Sequence, residues 1–303
     1  MIGRENLVRE LVVISGKGGT GKTSLTASLA VLAGSDMVVA DADVDAADLH
    51  LLLEPRVVQR EVFHGGHEAI IHPELCDACG VCAGLCRFGA IVPVWRPDGT
   101  TGYAVEAVAC EGCGVCVRHC PRYAIDFEER ECGEWFVSDT RCGPMVHARL
   151  RPGAENSGKL VSLVRAKARE VAERDGRGLV LIDGSPGIGC PVIASLTNAT
   201  GAVLVAEPTV SGEHDLGRVA ELAGRLGVPA WLCVNKWEVN PPLADRLERQ
   251  AAARGVRPAG RIRYDPAVTA AQTAGRTIVE FSSDGAAEDV RAVWRAIRAD
   301  LGV

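Results

Sequence analysis

Residues 11–23, LVVISGKGGTGKT, predict the first strand, turn and helix of the chain. The β-branched apolar run is followed by a glycine-rich segment and then by SLTASLAVLA, residues 24–33, which is typical of a helix. In this context G-x-x-x-x-G-K-[ST] predicts a phosphate-binding loop, whose glycines let backbone N–H groups surround the phosphates. Lys22 is expected to reach the β- and γ-phosphates, and Thr23 to bind Mg²⁺. The predicted nucleotide contacts are Gly16, Lys17, Gly18, Gly19, Thr20, Gly21, Lys22, Thr23 and Ser24.

Further strand-like and helical patterns alternate along the chain. Apolar runs predict strands at 11–15, 37–40, 179–183, 202–206 and 230–234. Helical patterns separate or follow these runs, for example at 158–174, 213–226 and 241–254. This alternation favours an α/β fold of the P-loop NTPase type, with a mostly parallel sheet and helices on both faces.

Two cysteine-rich stretches lie between the second and third of these strands. CDACGVCAGLC, residues 76–86, and CEGCGVCVRHC, residues 110–120, both have the spacing C-x2-C-x2-C-x3-C. This spacing is typical of bacterial two-cluster ferredoxins, in which the fourth cysteine of each run binds the other cluster. CRFGAI and CPRYAI, which continue the two runs, indicate a duplicated half. The predicted ligands are Cys76, Cys79, Cys82 and Cys120 for one [4Fe–4S] cluster, and Cys110, Cys113, Cys116 and Cys86 for the other.

The resemblance to bacterial ferredoxins with two [4Fe–4S] clusters covers residues 72–128. It predicts an inserted ferredoxin domain between two segments of the P-loop domain, residues 1–71 and 129–303. Arg87 stands where such ferredoxins usually carry a proline, whereas Pro121 follows the second run. Zinc sites made from the same cysteines are the alternative, but zinc sites favour separate C-x2-C pairs.

Lys17 adds a second lysine near the start of the phosphate-binding loop. GKGGTGKT, residues 16–23, resembles the deviant Walker A motif of the MinD/ParA superfamily, which includes the nitrogenase iron protein and the Mrp-type iron–sulfur carriers. In that family the early lysine reaches the nucleotide of the partner subunit. The resemblance therefore implies an ATP-dependent homodimer in which Lys17 acts in trans, as an arginine finger does. The whole chain resembles MinD-like P-loop ATPases that carry an inserted ferredoxin domain.

The same resemblance assigns roles to carboxylates at two strand ends. MVVADADVD, residues 37–45, contains a D-x-D at the switch I position of the family. This implies that Asp43 orients the attacking water and that Asp41 supports the Mg²⁺ shell. LVLID ends at Asp183, which resembles the Walker B aspartate and is implied to act on Mg²⁺ with Thr23. The implied catalytic residues are Lys17, Lys22 and Asp43.

Two later segments resemble the parts of the family that surround the base. In AWLCVNKWE, residues 230–238, Asn235 and Lys236 stand at the adenine-reading position. RIRYDPAV, residues 261–268, resembles the segment that covers the base, but Arg263 replaces the usual proline. Stacking of the guanidinium group on adenine would compensate for this change.

Composition and charge exclude several classes of protein. The chain has 303 residues, a hydrophobic content of 47% and a net charge of −6, so we expect a globular core and no nucleic-acid partner. It lacks the ~18-residue apolar run of a membrane span, and MIGRENLVRE lacks a signal-peptide core. We therefore expect a cytoplasmic protein without membrane association. In that compartment its twelve cysteines are expected to be metal ligands or buried thiols.

Three cysteines outside the two runs leave alternatives open. Cys190 lies seven residues beyond Asp183, which is the spacing of a subunit-bridging cluster ligand in the nitrogenase iron protein. Cys132 and Cys142 could supply further ligands, and uncoordinated thiols are the simpler interpretation.

The C-terminal VRAVWRAIRADLGV, residues 290–303, predicts a helix that closes the core, with a basic membrane-binding tail as the alternative.

Together these motifs predict an ATPase that carries electrons. ATP, Mg²⁺ and two [4Fe–4S] clusters are the expected cofactors, and an unidentified metalloprotein or redox protein is the expected partner. ATP hydrolysis would be coupled to electron transfer toward that partner or to its maturation. The alternatives are an Mrp-type cluster carrier, for which a cluster is the cargo, and a MinD/ParA-like spatial organiser whose clusters sense redox state.

Overall fold

The computed structural model describes residues 8–151, 154 and 157–302. The first seven residues of MIGRENLVRE and part of the segment that joins residues 151 and 157 lie outside the described residues. The chain divides into two compact units. The sheet unit runs to Glu61 and continues at Glu134–Arg149 and from Ser157 onward, and the cysteine unit comprises Val62–Gly133 and Leu150.

The secondary-structure elements are numbered in chain order. The strands are β1 (Arg9–Ser15), β2 (Met37–Ala42), β3 (Arg56–Ile71), β4 (Ile91–Trp95), β5 (Thr101–Val105), β6 (Ile125–Thr140), β7 (Gly143–Leu150), β8 (Leu179–Pro186), β9 (Gly201–Ala206), β10 (Ala230–Asn235) and β11 (Arg257–Ile262). The helices are α1 (Lys22–Ala33), α2 (His50–Leu53), α3 (Val81–Leu85), α4 (Val115–Arg118), α5 (Ser157–Arg174), α6 (Cys190–Leu196), α7 (Val210–Arg225), α8 (Pro241–Ala252), α9 (Pro266–Thr273), α10 (Ile278–Phe281) and α11 (Ala286–Leu301).

Nine strands form one sheet in the order β11-β10-β9-β1-β8-β2-β7-β6-β3. The neighbouring pairs from β11 to β7 are parallel. The boundary between the two units falls inside β3 and inside β6. β4 and β5 form a separate antiparallel hairpin in the cysteine unit. The predicted α/β fold with a mostly parallel sheet is confirmed.

Helices cover both faces of the central sheet. Leu11 and Val13 of β1 are fully buried in a core that also contains residues of α1 and α11. Val12 and Ile14 are equally buried, although successive side chains of a strand point to opposite faces. Strands that are buried along their whole length are typical of a parallel sheet between two helical layers.

Helix α11 packs its apolar face into this core. Its buried large side chains are Val290, Val293, Trp294, Ile297 and Leu301. The prediction of a core-closing C-terminal helix is therefore confirmed for the described residues, because this face contacts protein. None of the helices in the described ranges has the length and apolar character that crossing a bilayer would require.

The carboxyl ends of the central strands bring the sequence-predicted residues to one edge. β1 leads into the phosphate-binding loop, β2 carries Asp41, β8 carries Asp183 and β10 ends at Asn235. Asp41 and Asp183 are direct partners in the parallel register of β2 and β8. Ligands of open α/β sheets bind at this edge, so the fold positions a nucleotide site here.

Candidate nucleotide and cysteine sites

The phosphate-binding loop is held by close contacts on two sides. Gly21 adopts φ +89° at the start of α1, and a Cβ there would lie 2.5 Å from Asn235 Nδ2. The Asn235 amide donates a hydrogen bond to the Thr20 carbonyl oxygen at 2.8 Å. At the start of the loop, a Cβ on Gly16 would lie 2.3 Å from the Asp215 Cβ. These two glycines therefore fix the loop against β10 and α7.

Lys22 is the buried cation of this loop. Its side chain is 6% exposed, and its Nζ lies 3.6 Å from Asp43 Oδ2. Burial raises the pKa of Asp43, and the charge and hydrogen bond of Lys22 oppose that rise. The structure thus brings two of the predicted catalytic residues together as an ion pair. The ammonium group can exchange this carboxylate for a phosphate, since both are anions.

Asp183 offers an unused oxygen beside the loop. Its carboxylate is fully buried, and Oδ1 accepts a hydrogen bond from Thr26 at 2.9 Å, whereas Oδ2 has no partner within the described residues. Burial raises the Asp183 pKa to about 6, while the charge of Lys22 and the neighbouring Thr23 and Thr26 hydroxyl groups favour the charged form. A buried carboxylate with a free oxygen next to a threonine hydroxyl suits a hard divalent cation such as Mg²⁺.

Asp41 lies under the loop that follows β2. Its Oδ1 accepts from the Asp43 N–H and its Oδ2 from the Leu49 N–H, both at 3.3 Å. Burial raises the Asp41 pKa well above its usual range, and the nearby Asp183 charge adds to the rise. Asp41 therefore holds both ends of the loop that carries Asp43. These two hydrogen bonds give Asp41 a structural role in this loop that the sequence did not reveal.

An Asp183→Asn variant is expected to be more stable and less active than the parent. The folded protein keeps a proton on Asp183 up to about pH 6, whereas the unfolded chain releases it near pH 3.8. Stability should therefore fall as the pH rises through this interval, and the asparagine should remove that loss. At pH 7 we expect a gain on the order of 1–3 kcal/mol without metal and nucleotide. Mg²⁺-dependent hydrolysis should fall by about 10- to 100-fold.

Thermal unfolding of the metal-free protein at pH 4 and pH 7 measures this stability difference. Asp48→Asn is the matched control, since Asp48 is an exposed carboxylate in the loop that follows β2. Equal unfolding temperatures for Asp183→Asn and the parent at pH 7 would show that burial of the charge costs nothing.

Lys17 contacts residues of its own chain. Its Nζ lies 3.1 Å from Thr209 Oγ1, 3.3 Å from Ser211 Oγ and 3.6 Å from Glu207 Oε2. The Lys236 Nζ lies 2.6 Å from the other oxygen of the same carboxylate. Glu207 follows β9 at the carboxyl edge, and that position was the only sequence signal that could have identified it. Reaching a partner subunit would require Lys17 to leave Glu207.

The three predicted base-contacting residues are already engaged within the chain. The Asn235 Oδ1 accepts a hydrogen bond from the Lys236 N–H at 3.0 Å, in addition to the contact that the Asn235 amide makes with the loop. The Arg263 guanidinium forms two hydrogen bonds with the Asp289 carboxylate, at 2.7 and 2.8 Å. The structure thus places Arg263 against α11, with 42% of its side chain exposed.

A small pocket, partly open to solvent, lies among the cysteines. The cysteines in its wall are Cys76, Cys79, Cys82 and Cys120. The first three come from one cysteine run and the fourth from the other, which is the set predicted for one cluster. Tyr103 of β5 and the apolar Ile71 and Ile125 also line the pocket.

The remaining predicted ligands are Cys110, Cys113, Cys116 and Cys86. Of these, Cys110, Cys116 and Cys86 pack against the same small apolar core as the buried Cys82. Cys113 is exposed. The structure therefore brings cysteines of both runs around a common core in the cysteine unit.

The fourth cysteines of the two runs have equivalent surroundings. Cys86 Sγ accepts a hydrogen bond from the Ala90 N–H, and Cys120 Sγ accepts one from the Ala124 N–H, each at 3.3 Å. The two runs therefore present the same N–H···S arrangement at their fourth cysteine. Burial raises the pKa of the third cysteine of each run, Cys82 and Cys116. The first two cysteines of the same run add to the rise.

The other cysteines show no shared metal site. Cys132 Sγ donates to the Gly65 carbonyl oxygen at 3.0 Å, Cys142 is buried, and Cys190 is exposed at the start of α6. Burial raises the pKa of the core residue Cys233 to about 12. In the described parts of the chain, no three Cys, His, Asp or Glu side chains surround a position suited to a single metal ion.

Comparison of the sequence with protein families and relatives gives consistent matches. Residues 11–278 match the family described as the CobQ/CobB/MinD/ParA nucleotide binding domain. The chain is 31% identical over 245 residues to the uncharacterized protein MJ0578 of Methanocaldococcus jannaschii, with 77% of this chain and 80% of the relative covered. It is 24% identical over 236 residues to MJ0579 of the same organism, with 76% and 81% covered.

Solved structures share the fold over nearly the whole chain. The septum site-determining protein MinD of Pyrococcus horikoshii, complexed with Mg-ADP, has a TM-score of 0.58 and 18% identity, with 98% of each chain covered. The cell division ATPase MinD of Pyrococcus furiosus has a TM-score of 0.57 and 18% identity, with 97% of this chain and 99% of that chain covered. At this level of identity the likeness establishes the fold.

Proposed function

Because the chain belongs to the CobQ/CobB/MinD/ParA family and is a P-loop ATPase, we propose that its ATP hydrolysis controls electron transfer by an iron–sulfur module. The electrons would pass to a metalloprotein partner, either for its catalysis or for its maturation. The observation that carries this proposal is the pocket whose wall joins three cysteines of one run to the fourth cysteine of the other. The proposed ferredoxin domain, residues 72–128, lies within the cysteine unit.

The surroundings of the cysteines fit two [4Fe–4S] clusters. Cys76, Cys79, Cys82 and Cys120 would hold one cluster, and Cys110, Cys113, Cys116 and Cys86 the other. Backbone N–H groups already donate to one sulfur of each set, and cysteines of both runs pack against one small apolar core. A bound cluster supplies reversible one-electron chemistry. The related Mrp-type carriers and the nitrogenase iron protein use iron–sulfur centres with the same type of ATPase domain, which supports the proposal by resemblance.

The arrangement of the sulfurs favours clusters over zinc. Tetrahedral zinc would bring four sulfur atoms within about 3.8 Å of one another, because each Zn–S bond is about 2.3 Å long. No such convergence of ligands occurs in the described residues. In a cubane each thiolate binds a different iron, so its ligands lie on a wider shell. The four cysteines that line one pocket without converging on a single point are consistent with that requirement.

The nucleotide site supports phosphoryl transfer to water. Lys22 would move from Asp43 to the β- and γ-phosphates, and Thr23 and Asp183 would hold Mg²⁺, which neutralises phosphate charge when bound. The freed Asp43 carboxylate accepts a hydrogen bond from the attacking water and directs it at the γ-phosphorus. The new P–O bond forms as the bond to the bridging oxygen breaks, which gives ADP and phosphate. Lys17 of a second subunit would stabilise the charge that develops.

Chain connectivity supports coupling between hydrolysis and the clusters. The loop that carries Asp43 leads through α2 into β3, and β3 ends shortly before Cys76. On the return path, β6 leads into β7, which pairs with β2 beside Asp41. The connections through β3 and β6 therefore come from segments next to the proposed γ-phosphate site, which is where P-loop ATPases respond to nucleotide.

Anaerobic redox titration in the ATP and ADP states tests this function. The protein should contain about eight irons per chain, from two four-iron clusters. Mg-ATP should shift the reduction potential or the EPR line shape of at least one cluster relative to Mg-ADP. Asp43→Ala should retain the ATP-like value, because it binds ATP without hydrolysing it. By linkage, reduction of that cluster must then change the nucleotide affinity by the same factor.

The outcomes separate the alternatives. Identical potentials and spectra in protein saturated with each nucleotide would contradict gating and leave a passive electron carrier. Rapid transfer of iron to an apo-acceptor would favour the Mrp-type carrier, because a cofactor cluster should be retained. Zinc in place of iron would contradict the cluster assignment.

A further inference from the structure

Each cysteine run contains a left-handed glycine covered by an aromatic ring. Gly80 has φ +75°, and a Cβ there would lie 3.0 Å from the Tyr103 hydroxyl oxygen. Gly114 has φ +68°, and a Cβ there would lie 3.3 Å from Phe127 Cζ. Both glycines immediately precede the short helix that carries the third cysteine of the run. The two positions are thus equivalent, but one ring carries a hydroxyl group and the other does not.

Two further polar contacts occur in both runs, whereas the Cys79 N–H bond to Asp77 and the Arg118 bond to the Cys113 carbonyl oxygen each occur in one run only. Arg96 donates to the Cys76 carbonyl oxygen at 2.9 Å, and Arg130 donates to the Cys110 carbonyl oxygen at 3.4 Å. The N–H bonds to the fourth cysteines have the same length in both runs. An arginine and an amide donor therefore serve each set. The phenolic hydroxyl is one chemical difference between them, and Arg87 after the first run in place of a proline like Pro121 is another.

Tyr103 also belongs to the wall of the cysteine pocket. It lies on β5, opposite Pro93 of β4, and is half-buried. Its hydroxyl group has no hydrogen-bond partner within the described residues. The pocket that it lines holds four cysteine side chains, which offer sulfur atoms as acceptors. The Tyr103 hydroxyl group can therefore donate a hydrogen bond to a group that the cysteine sulfurs of this pocket bind.

We propose that the Tyr103 hydroxyl group donates a hydrogen bond to the cluster held by Cys76, Cys79, Cys82 and Cys120, and thereby raises its reduction potential. An added electron makes the cluster sulfurs more negative, so a hydrogen bond to them stabilises the reduced state more than the oxidised state. Phe127 cannot donate in this way to the second cluster. The inference rests on the proposed function, since it requires that both sets of cysteines bind clusters.

Exchange of the two aromatic residues tests the inference. Anaerobic full-length Tyr103→Phe and Phe127→Tyr are compared with the parent by iron analysis, EPR-monitored redox titration and thermal unfolding. Tyr103→Phe should lower the potential of one cluster and leave the other unchanged. Phe127→Tyr should raise the potential of the cluster that Tyr103→Phe leaves unchanged. Iron content should stay at the parental level in both variants.

The results distinguish a failure of the proposed function from a failure of the role proposed for Tyr103. A parent protein without iron would overturn the proposed function and this inference together. A parent with two clusters whose potentials are both unaffected by Tyr103→Phe, or are lowered equally, would overturn the inference alone. If Tyr103→Phe loses iron, Phe127→Tyr decides, because an unchanged pair of potentials in that variant also contradicts a donor role at this position.

Discussion

The Lys17→Ala variant is expected to bind ATP with near-parental affinity and to hydrolyse it ~10³-fold or more slowly, as when an arginine finger is removed. Lys22, and not Lys17, is the buried cation at the centre of the phosphate-binding loop. Lys17 instead rests on Glu207, Thr209 and Ser211, with 29% of its side chain exposed. The loss of Lys17 should therefore weaken the stabilisation that it is proposed to give to the transition state in a partner subunit. It should affect the binding of ATP in its own subunit much less.

Equilibrium binding and single-turnover hydrolysis measure the two effects separately. Sedimentation with and without Mg-ATP tests the proposed ATP-dependent dimer, which we expect the parent to form and the variant not to form. Lys167→Ala is the matched control, since Lys167 is a surface lysine of α5 paired with Glu170. A Lys17→Ala monomer that hydrolyses ATP at the parental rate would contradict action in trans.

Local patterns were sufficient to predict the sheet because its strands are buried on both faces. The predicted strand 37–40 is part of β2, and 179–183 is part of β8, each extended by two or three residues. An uninterrupted apolar run between glycine or charged residues has few alternatives in an α/β fold. Strand ends were less certain, because polar residues such as Asp41 continue the strand when their partners are supplied by the fold.

The surroundings of the cysteine runs could not be inferred in the same way. Residues 72–128 were expected to form a separate insert, but β6 runs without interruption from Ile125 to Thr140. Its charged stretch, DFEEREC, has no clear strand periodicity and becomes a strand by pairing with its neighbours. The hairpin of β4 and β5 lies between the two cysteine runs. The spacing of the cysteines alone does not predict secondary structure there.

The ion-pair partners of the residues in the nucleotide site could not be predicted from the sequence either. Glu207 holds both Lys17 and Lys236, although these lysines are more than two hundred residues apart in the chain. Arg263 was expected to stack on adenine, and its guanidinium group is held by Asp289 of α11. Motifs identify which residue types meet a ligand, whereas the charges that hold them before binding depend on tertiary packing.

The Lys22→Ala variant is expected to lose nearly all affinity for ATP and ADP. Lys22 is 6% exposed and lies in a loop whose other phosphate contacts are neutral amides and hydroxyl groups. Removal of one partner of such a buried charge pair costs about 2–5 kcal/mol, which is a roughly 30- to 5,000-fold loss of affinity. Asp43 would also lose its only ion-pair partner among the described residues and add repulsion toward the phosphates.

Titration calorimetry with ADP and with a non-hydrolysable ATP analogue measures this loss. Lys22→Gln keeps the length of the side chain without its charge and should lose a similar amount of affinity, which separates the effect of charge from that of a cavity. The proposed clusters should be unaffected in both variants, because their proposed cysteine ligands lie in the other compact unit. Tight ADP binding by Lys22→Ala in folded protein would contradict the assignment of this loop as the phosphate site. Equal affinities of Lys22→Gln and the parent would show that packing, and not the ammonium charge, holds the nucleotide.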